Sequence, residues 1–215
     1  MKKTLSVFLS AVLAGVAIAL GGTVFLLLES KLAGAVFFTV GLFVVCTRGL
    51  HLFTGRLCYV FERDAAYARE LPVIWLGNLC GATAVALLER AARIAPALSE
   101  RAGALCAAKL GDGLVSLFVL GAFCNVLIFL AVDGFRNNPH ETGKYLALFF
   151  GVTVFILCGF EHCVADMYYF AAGGAWGGGQ AGGTLLRLAV ITLGNFAGGV
   201  AFPLLHRAIA RLQNG

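Results

Sequence analysis

The chain has 215 residues, 60% hydrophobic and only 13% charged, with mean hydropathy +0.90 and a formal net charge of +5. Soluble domains carry about a quarter charged residues, so this composition excludes a soluble enzyme, a disordered tail and a nucleic-acid reader despite the positive balance. What remains is a single-domain polytopic membrane protein.

In chain order, Lys2 and Lys3 precede an apolar run, and Ala17-Ile18-Ala19 resembles a signal-peptide cleavage site. The run continues through residues 24–28, which makes it a retained first transmembrane helix. A helix needs about 20 apolar residues to cross the hydrocarbon core. The predicted spans are residues 5–28, 32–61, 71–88, 110–132, 145–170 and 184–205. The stretch 89–109 reads as a connection, and the Gly-rich run 173–179 as a flexible outer loop. That run lacks the strand and Lys-Ser/Thr context of a phosphate-binding loop.

Two spans are interrupted. The second carries Thr47-Arg48-Gly49-Leu50-His51, and the fifth carries Glu161, His162 and Asp166 after Gly159. Charged groups at bilayer depth cost several kcal/mol and face a bundle interior or a watery cavity. Broken backbone is tolerated there only where it lines such a space. Spans two and five are therefore the predicted pore elements.

The third and sixth spans share a pattern, Leu76-Gly77-Asn78-Leu79-Cys80-Gly81 and Leu193-Gly194-Asn195-Phe196-Ala197-Gly198. Each closes a three-span unit whose middle helix is broken. Three spans per unit predicts an inverted repeat, about 1–92 and about 104–215, as in transporters with matched broken helices. With both termini cytoplasmic, nine Lys and Arg residues fall inside and six outside, with Arg48 at depth. The contrary residues, Arg90, Arg93, Arg101 and Lys109, lie in the long stretch 89–109, where acidic partners weaken the conflict. The predicted location is the inner (plasma) membrane.

Seven cysteines are an odd number without a Cys-x-x-Cys pair, and Cys46, Cys80, Cys124 and Cys158 sit in apolar runs. They read as free, small hydrophobes. His162 and Asp166, four apart, could share a helical face, but a metal wants three or four ligands, and only His51 and scattered cysteines are added at depth. No metal or cofactor is called for. The twin Asn-Pro-Ala motifs of a water channel are also absent.

The motifs so far are distinctive together. Gly159-Phe160-Glu161-His162-Cys163-Val164-Ala165-Asp166-Met167 resembles the G-F-E-H-S-V-A-N-M signature of the formate/nitrite transporter family. Leu52-Phe53-Thr54-Gly55 is similar to that family's segment after the second-helix break. Trp75-Leu76-Gly77-Asn78, Cys124-Asn125 and Leu193-Gly194-Asn195 match its third, fourth and sixth helices. The resemblance covers nearly the whole chain. It implies an all-α, aquaporin-like fold of six transmembrane helices in two inverted repeats. It also implies a homopentamer with one pore per protomer, and passage of small monovalent weak-acid anions with no enzymatic activity.

The resemblance makes His162 the central pore histidine, whose imidazole can exchange a proton near physiological pH, with Thr54 as its hydroxyl partner and Asn125 beside them. Glu161 either orients a neighbour or holds inter-helix packing. Lys109, taken as opening span four, becomes the vestibule lysine that concentrates anions. Phe38 and Phe155 are assigned to an outer constriction, and Leu42, Leu52, Phe53 and Ile128 to an inner one. Three residues depart from the family pattern: Asp166 stands in place of Asn, and Arg48 and His51 put basic groups at the second-helix break.

The expected mechanism is a two-gate pore. A bare anion pays several kcal/mol to shed its water, whereas a substrate protonated near His162 and Thr54 crosses as a neutral acid. The alternative keeps the anion unprotonated and uses the field of the site. Formate is the first expected substrate and nitrite the second, with hydrosulfide an alternative within the family.

Overall fold

A computed structural model describes residues 2–214. Among them it places nine α-helices and one 3-10 turn: α1 (Lys2–Leu27), α2 (Lys31–Thr47), α3 (Phe53–Leu57), the turn Val60–Glu62, α4 (Ala65–Glu89), α5 (Ala95–Gly111), α6 (Leu114–Asn137), α7 (Glu141–Cys158), α8 (Cys163–Ala172) and α9 (Ala181–Asn214). Five helices are long and apolar enough to cross a bilayer, namely α1, α4, α6, α7 and α9. The expected second span is shorter: α2 has 17 residues, about 26 Å at 1.5 Å per residue. The break cuts it below the roughly 30 Å hydrocarbon thickness.

The same contacts occur in both halves. Helix α1 packs on α2 and α4 as α6 packs on α7 and α9. The shared Leu-Gly-Asn pattern explains how closely the paired helices approach. A Cβ at Gly81 would fall 2.0 Å from the Val12 carbonyl oxygen, and one at Gly198 would fall 1.9 Å from that of Ala122. Gly15 likewise meets the backbone of Asn78, and Gly194 that of Phe118. Where lipid tails compete with side chains, such backbone proximity is a main source of helix affinity.

Both breaks are built alike. Gly49 (φ 64°) and Gly159 (φ 69°) adopt the left-handed conformation that only glycine reaches cheaply. The following residues fold back, with Leu50 N–H donating to Val45 C=O and Phe160 N–H to Phe155 C=O, the bond that closes a Schellman end. Helices α3 and α8 then restart the chain. Every residue from Cys163 to Ala171 in α8 is buried, which makes it the centre of the bundle.

Two expectations require correction. Residues 95–109 of the predicted connection, with 110 and 111 of the predicted fourth span, form α5, whose Leu98, Ala102 and Cys106, four apart, are buried as α5 lies on α8. Lys109 therefore does not open the fourth span; it lies in the last turn of α5, and α6 begins only at Leu114. Asp112 marks the boundary, accepting from Gly113 N–H at 2.7 Å and from the Ser116 hydroxyl at 2.7 Å. Leu110 and Gly111, apolar and next to the long apolar run of α6, had read as the start of that span although they end α5.

Candidate functional site

The two restarted helices point their first turns at each other. Thr54 on α3 and His162, the N-cap of α8, are both fully buried, and Thr54 Oγ1 lies 2.9 Å from His162 Nε2. The other ring nitrogen, Nδ1, accepts the Ala165 backbone N–H at 3.1 Å. An atom that accepts cannot carry the proton of a neutral ring, so the hydrogen sits on Nε2 and is donated to Thr54. That leaves the threonine's own hydrogen free for a third group. Charging the ring would turn Nδ1–H against the Ala165 N–H and put a cation at the positive end of α8. The bonding therefore favours neutral imidazole.

Apolar side chains surround this pair. The Phe155 ring stacks on the imidazole at 5.7 Å between centroids, and Phe38 meets Phe155 edge-on at 6.0 Å. Leu42, Leu52, Phe53 and Ile128 are all buried. Phe38 and Leu42 are one turn apart on α2, which runs from one cavity to another. At its start a cavity of about 260 Å³ is lined by Lys31, Lys109, Glu161, Phe160 and Tyr169. At its end a cavity of about 150 Å³ is lined by Leu42, Cys46, His51, Leu52, Arg56 and Arg136. His51 and Arg56 thus belong to the second cavity and not to the His162 pair. Its arginines lie over tyrosine rings, Arg56 on Tyr67 at 4.5 Å and Arg136 on Tyr59 at 4.9 Å.

At the other end, Lys109 Nζ bonds Asp166 Oδ1 at 2.8 Å, pairs also with Glu161, and lies 5.8 Å from the Tyr169 ring centre. The structure so joins three residues that come from α5, the break and α8. Asn125 sits one layer behind the Thr54 hydroxyl. Its Nδ2 donates to the Thr54 carbonyl at 3.2 Å, so it holds the α3 backbone.

Two residues that hold the breaks were read in the sequence as repeat markers and family matches, without a role. Asn78 Oδ1 accepts from Phe53 N–H at 2.8 Å, while its Nδ2 donates to Ala11 C=O at 2.7 Å and His51 C=O at 3.0 Å. Asn195 Oδ1 accepts from Cys163 N–H at 2.9 Å, and its Nδ2 donates to Gly121 C=O at 2.8 Å and Glu161 C=O at 2.7 Å. Each satisfies backbone groups that the break frees, a necessity at membrane depth. Their position beside the two paired glycines was the only sequence signal for this role. Among the described residues, no group of three or more His, Cys, Asp or Glu is placed to hold a metal, and the seven cysteines are unbridged.

Comparison with known proteins places this architecture. A family model described as formate/nitrite transporter matches residues 1–209. The nitrite transporter NirC of Salmonella typhimurium is 32% identical over 179 residues, covering 77% of this chain and 65% of its own length. The chain thus spans about two thirds of that relative. A probable formate transporter of Methanothermobacter thermautotrophicus is 33% identical over 197 residues, covering 80% of this chain and 72% of its own. Among solved structures, a pentameric formate channel with formate bound superposes with a TM-score of 0.86 at 26% identity, covering 98% of both chains. An FNT family ion channel gives 0.78 at 29% identity, covering 96% of this chain and 89% of that one.

Proposed function

Starting from the chain's membership of the formate/nitrite transporter family, we propose that this multi-pass membrane protein passes small monovalent weak-acid anions, formate first and nitrite second, through one pore per protomer. The observation that carries the reading is the buried Thr54–His162 pair, enclosed by apolar side chains and lying between two cavities that each hold cationic residues. The similar structure described as a pentameric formate channel supports a homopentamer and a carboxylate substrate. Relatives named for formate and nitrite rank hydrosulfide behind both. The repeated contacts support one transmembrane domain of two units, about 1–92 and 104–215. The excess of Lys and Arg supports an inner-membrane orientation with both termini cytoplasmic, which puts the Lys109 cavity outside and the Arg56–Arg136 cavity inside.

In this reading an anion enters the outer cavity toward Lys109 and loses water against the Phe38–Phe155 constriction. Moving a bare carboxylate into such a space costs several kcal/mol or more. The neutral acid avoids most of that cost, and protons travel with the anion. His162 acts as a neutral donor. Its Nε2–H orients the Thr54 hydroxyl, which donates a hydrogen bond to the passing substrate, while Leu42, Leu52, Phe53 and Ile128 keep bulk water from the inner side.

The test is flux into proteoliposomes at two external pH values, comparing formate with nitrite in wild type and His162→Phe. The reading expects both anions to move faster at low pH in wild type and the variant to lose flux at both pH values, because it lacks the Nε2–H that orients Thr54. Equal flux with the same pH response in both proteins would falsify a role for His162 in transport.

A further inference from the structure

Lys109, Glu161 and Asp166 present an imbalance of charge. One ammonium bonds two carboxylates in a site where Asp166 is 1% exposed and its Oδ2 has no partner. The other titratable groups near Asp166 are Cys106 on α5, Cys124 on α6, and Cys163 and Tyr169 on α8, none of them a cation. Around the same cavity Lys31 donates to the Leu157 carbonyl at 2.9 Å and Asp112 accepts from Gly113 N–H and the Ser116 hydroxyl, while Glu89 of α4 bonds Tyr168 and Thr23. His162 cannot serve as the second cation, because its ring bonds favour the neutral form. Two carboxylates this close do not both ionise against a single positive charge away from water.

We propose that Glu161 and Asp166 share one exchangeable proton over Lys109, and that this proton neutralises the anion arriving from the outer cavity. The inference rests on reading the chain as a weak-acid anion transporter. Glu161 and Lys109 both line the 260 Å³ cavity, so an anion drawn to the ammonium meets the carboxylic acid there. In the transfer the O–H bond of the shared acid breaks and a new O–H bond forms on the formate or nitrite oxygen. Two carboxylates remain beside Lys109, and a neutral acid faces Phe38 and Phe155. Water in the cavity returns a proton to the pair, so one proton leaves with each anion and nothing is oxidised or reduced. This division of labour gives His162 the hydrogen bond and the carboxylate pair the proton.

The experiment uses the full chain in proteoliposomes. Infrared spectroscopy at neutral pH reports a protonated, deuterium-exchangeable carboxyl group, and formate influx is followed in parallel. Asp166→Asn and Glu161→Gln each leave one carboxylate against Lys109, so neither variant has reason to hold the proton. Expected is a carboxyl band in wild type that disappears in both variants. Formate influx at neutral pH should fall at least tenfold in each, in the range of a lost general acid, and recover as external pH drops and bulk protons take over. Absence of the band from wild type, or its survival in both variants, overturns the proposal even where formate is carried. Failure of wild type to carry formate or nitrite overturns the transport reading and with it the hand-over, while the band still reports separately on the shared proton.

Discussion

Asn195 holds the break before α8 in the same way that Asn78 holds the break before α3. Each side chain accepts the first N–H of the restarted helix and donates to a carbonyl in the break and to one on the first helix of its own half. Replacing Asn195 with Leu orphans the Glu161 carbonyl and the Cys163 N–H in a buried place, while the Gly121 carbonyl keeps its own helix bond. At about 1–3 kcal/mol for each unsatisfied group, a loss of at least about 2 kcal/mol is expected. Thermal unfolding in detergent measures it. A variant as stable as wild type would show that water or relaxation replaces the asparagine.

The paired glycines predict a sharp positional contrast. Gly198→Ala puts a Cβ against the Ala122 carbonyl, whereas one at Gly103 meets nothing within 4 Å. Overpacking of this kind costs about 1–3 kcal/mol. Gly198→Ala should lower the melting temperature clearly and Gly103→Ala should leave it in place or raise it. Equal melting of the two variants would mean that α6 and α9 separate freely.

Thr54→Val keeps the shape of the side chain and removes the hydroxyl that bonds His162. A hydrogen bond between neutral groups contributes about 0.5–1.5 kcal/mol, so formate flux should drop roughly twofold to tenfold while Thr54→Ser keeps most of it. Flux assays on the two variants decide this. If Val transports like Thr, the hydroxyl does not touch the substrate.

Phe38 is 1% exposed and meets Phe155 edge-on. Phe38→Ala should open the outer constriction to a larger monocarboxylate. The acetate-to-formate flux ratio is expected to rise about tenfold, the scale at which apolar pockets sort by one methylene. An unchanged ratio would place the size filter elsewhere, with Leu42 and Leu52 as the next variants to make.

Much of this was legible in the residues before any coordinates. The apolar runs, Gly49 and Gly159 inside two of them, and the duplicated Leu-Gly-Asn pattern are local signals, because backbone conformation and burial depend first on a residue and its near neighbours. They placed the spans to within a few residues at most ends and located both breaks. Helix α5 was missed, although Leu98, Ala102 and Cys106 recur at helical spacing, because its charged residues made the stretch resemble a connection.

The rest needed the third dimension. A sequence can display Asn78, His162 or Lys109, but a hydrogen bond is a matter of a few ångströms between atoms that the chain separates widely. Thr54 and His162 are 108 positions apart, and Lys109 and Glu161 are 52. Only the packing of α3, α5 and α8 decides that the imidazole is capped at Nδ1, that Asn125 Nδ2 grips the Thr54 carbonyl, and that two carboxylates share one lysine. Composition and local pattern determined that the chain spans a membrane with two broken helices. Tertiary structure decided which of the buried polar groups touch, because burial leaves each of them only the partners that other helices bring.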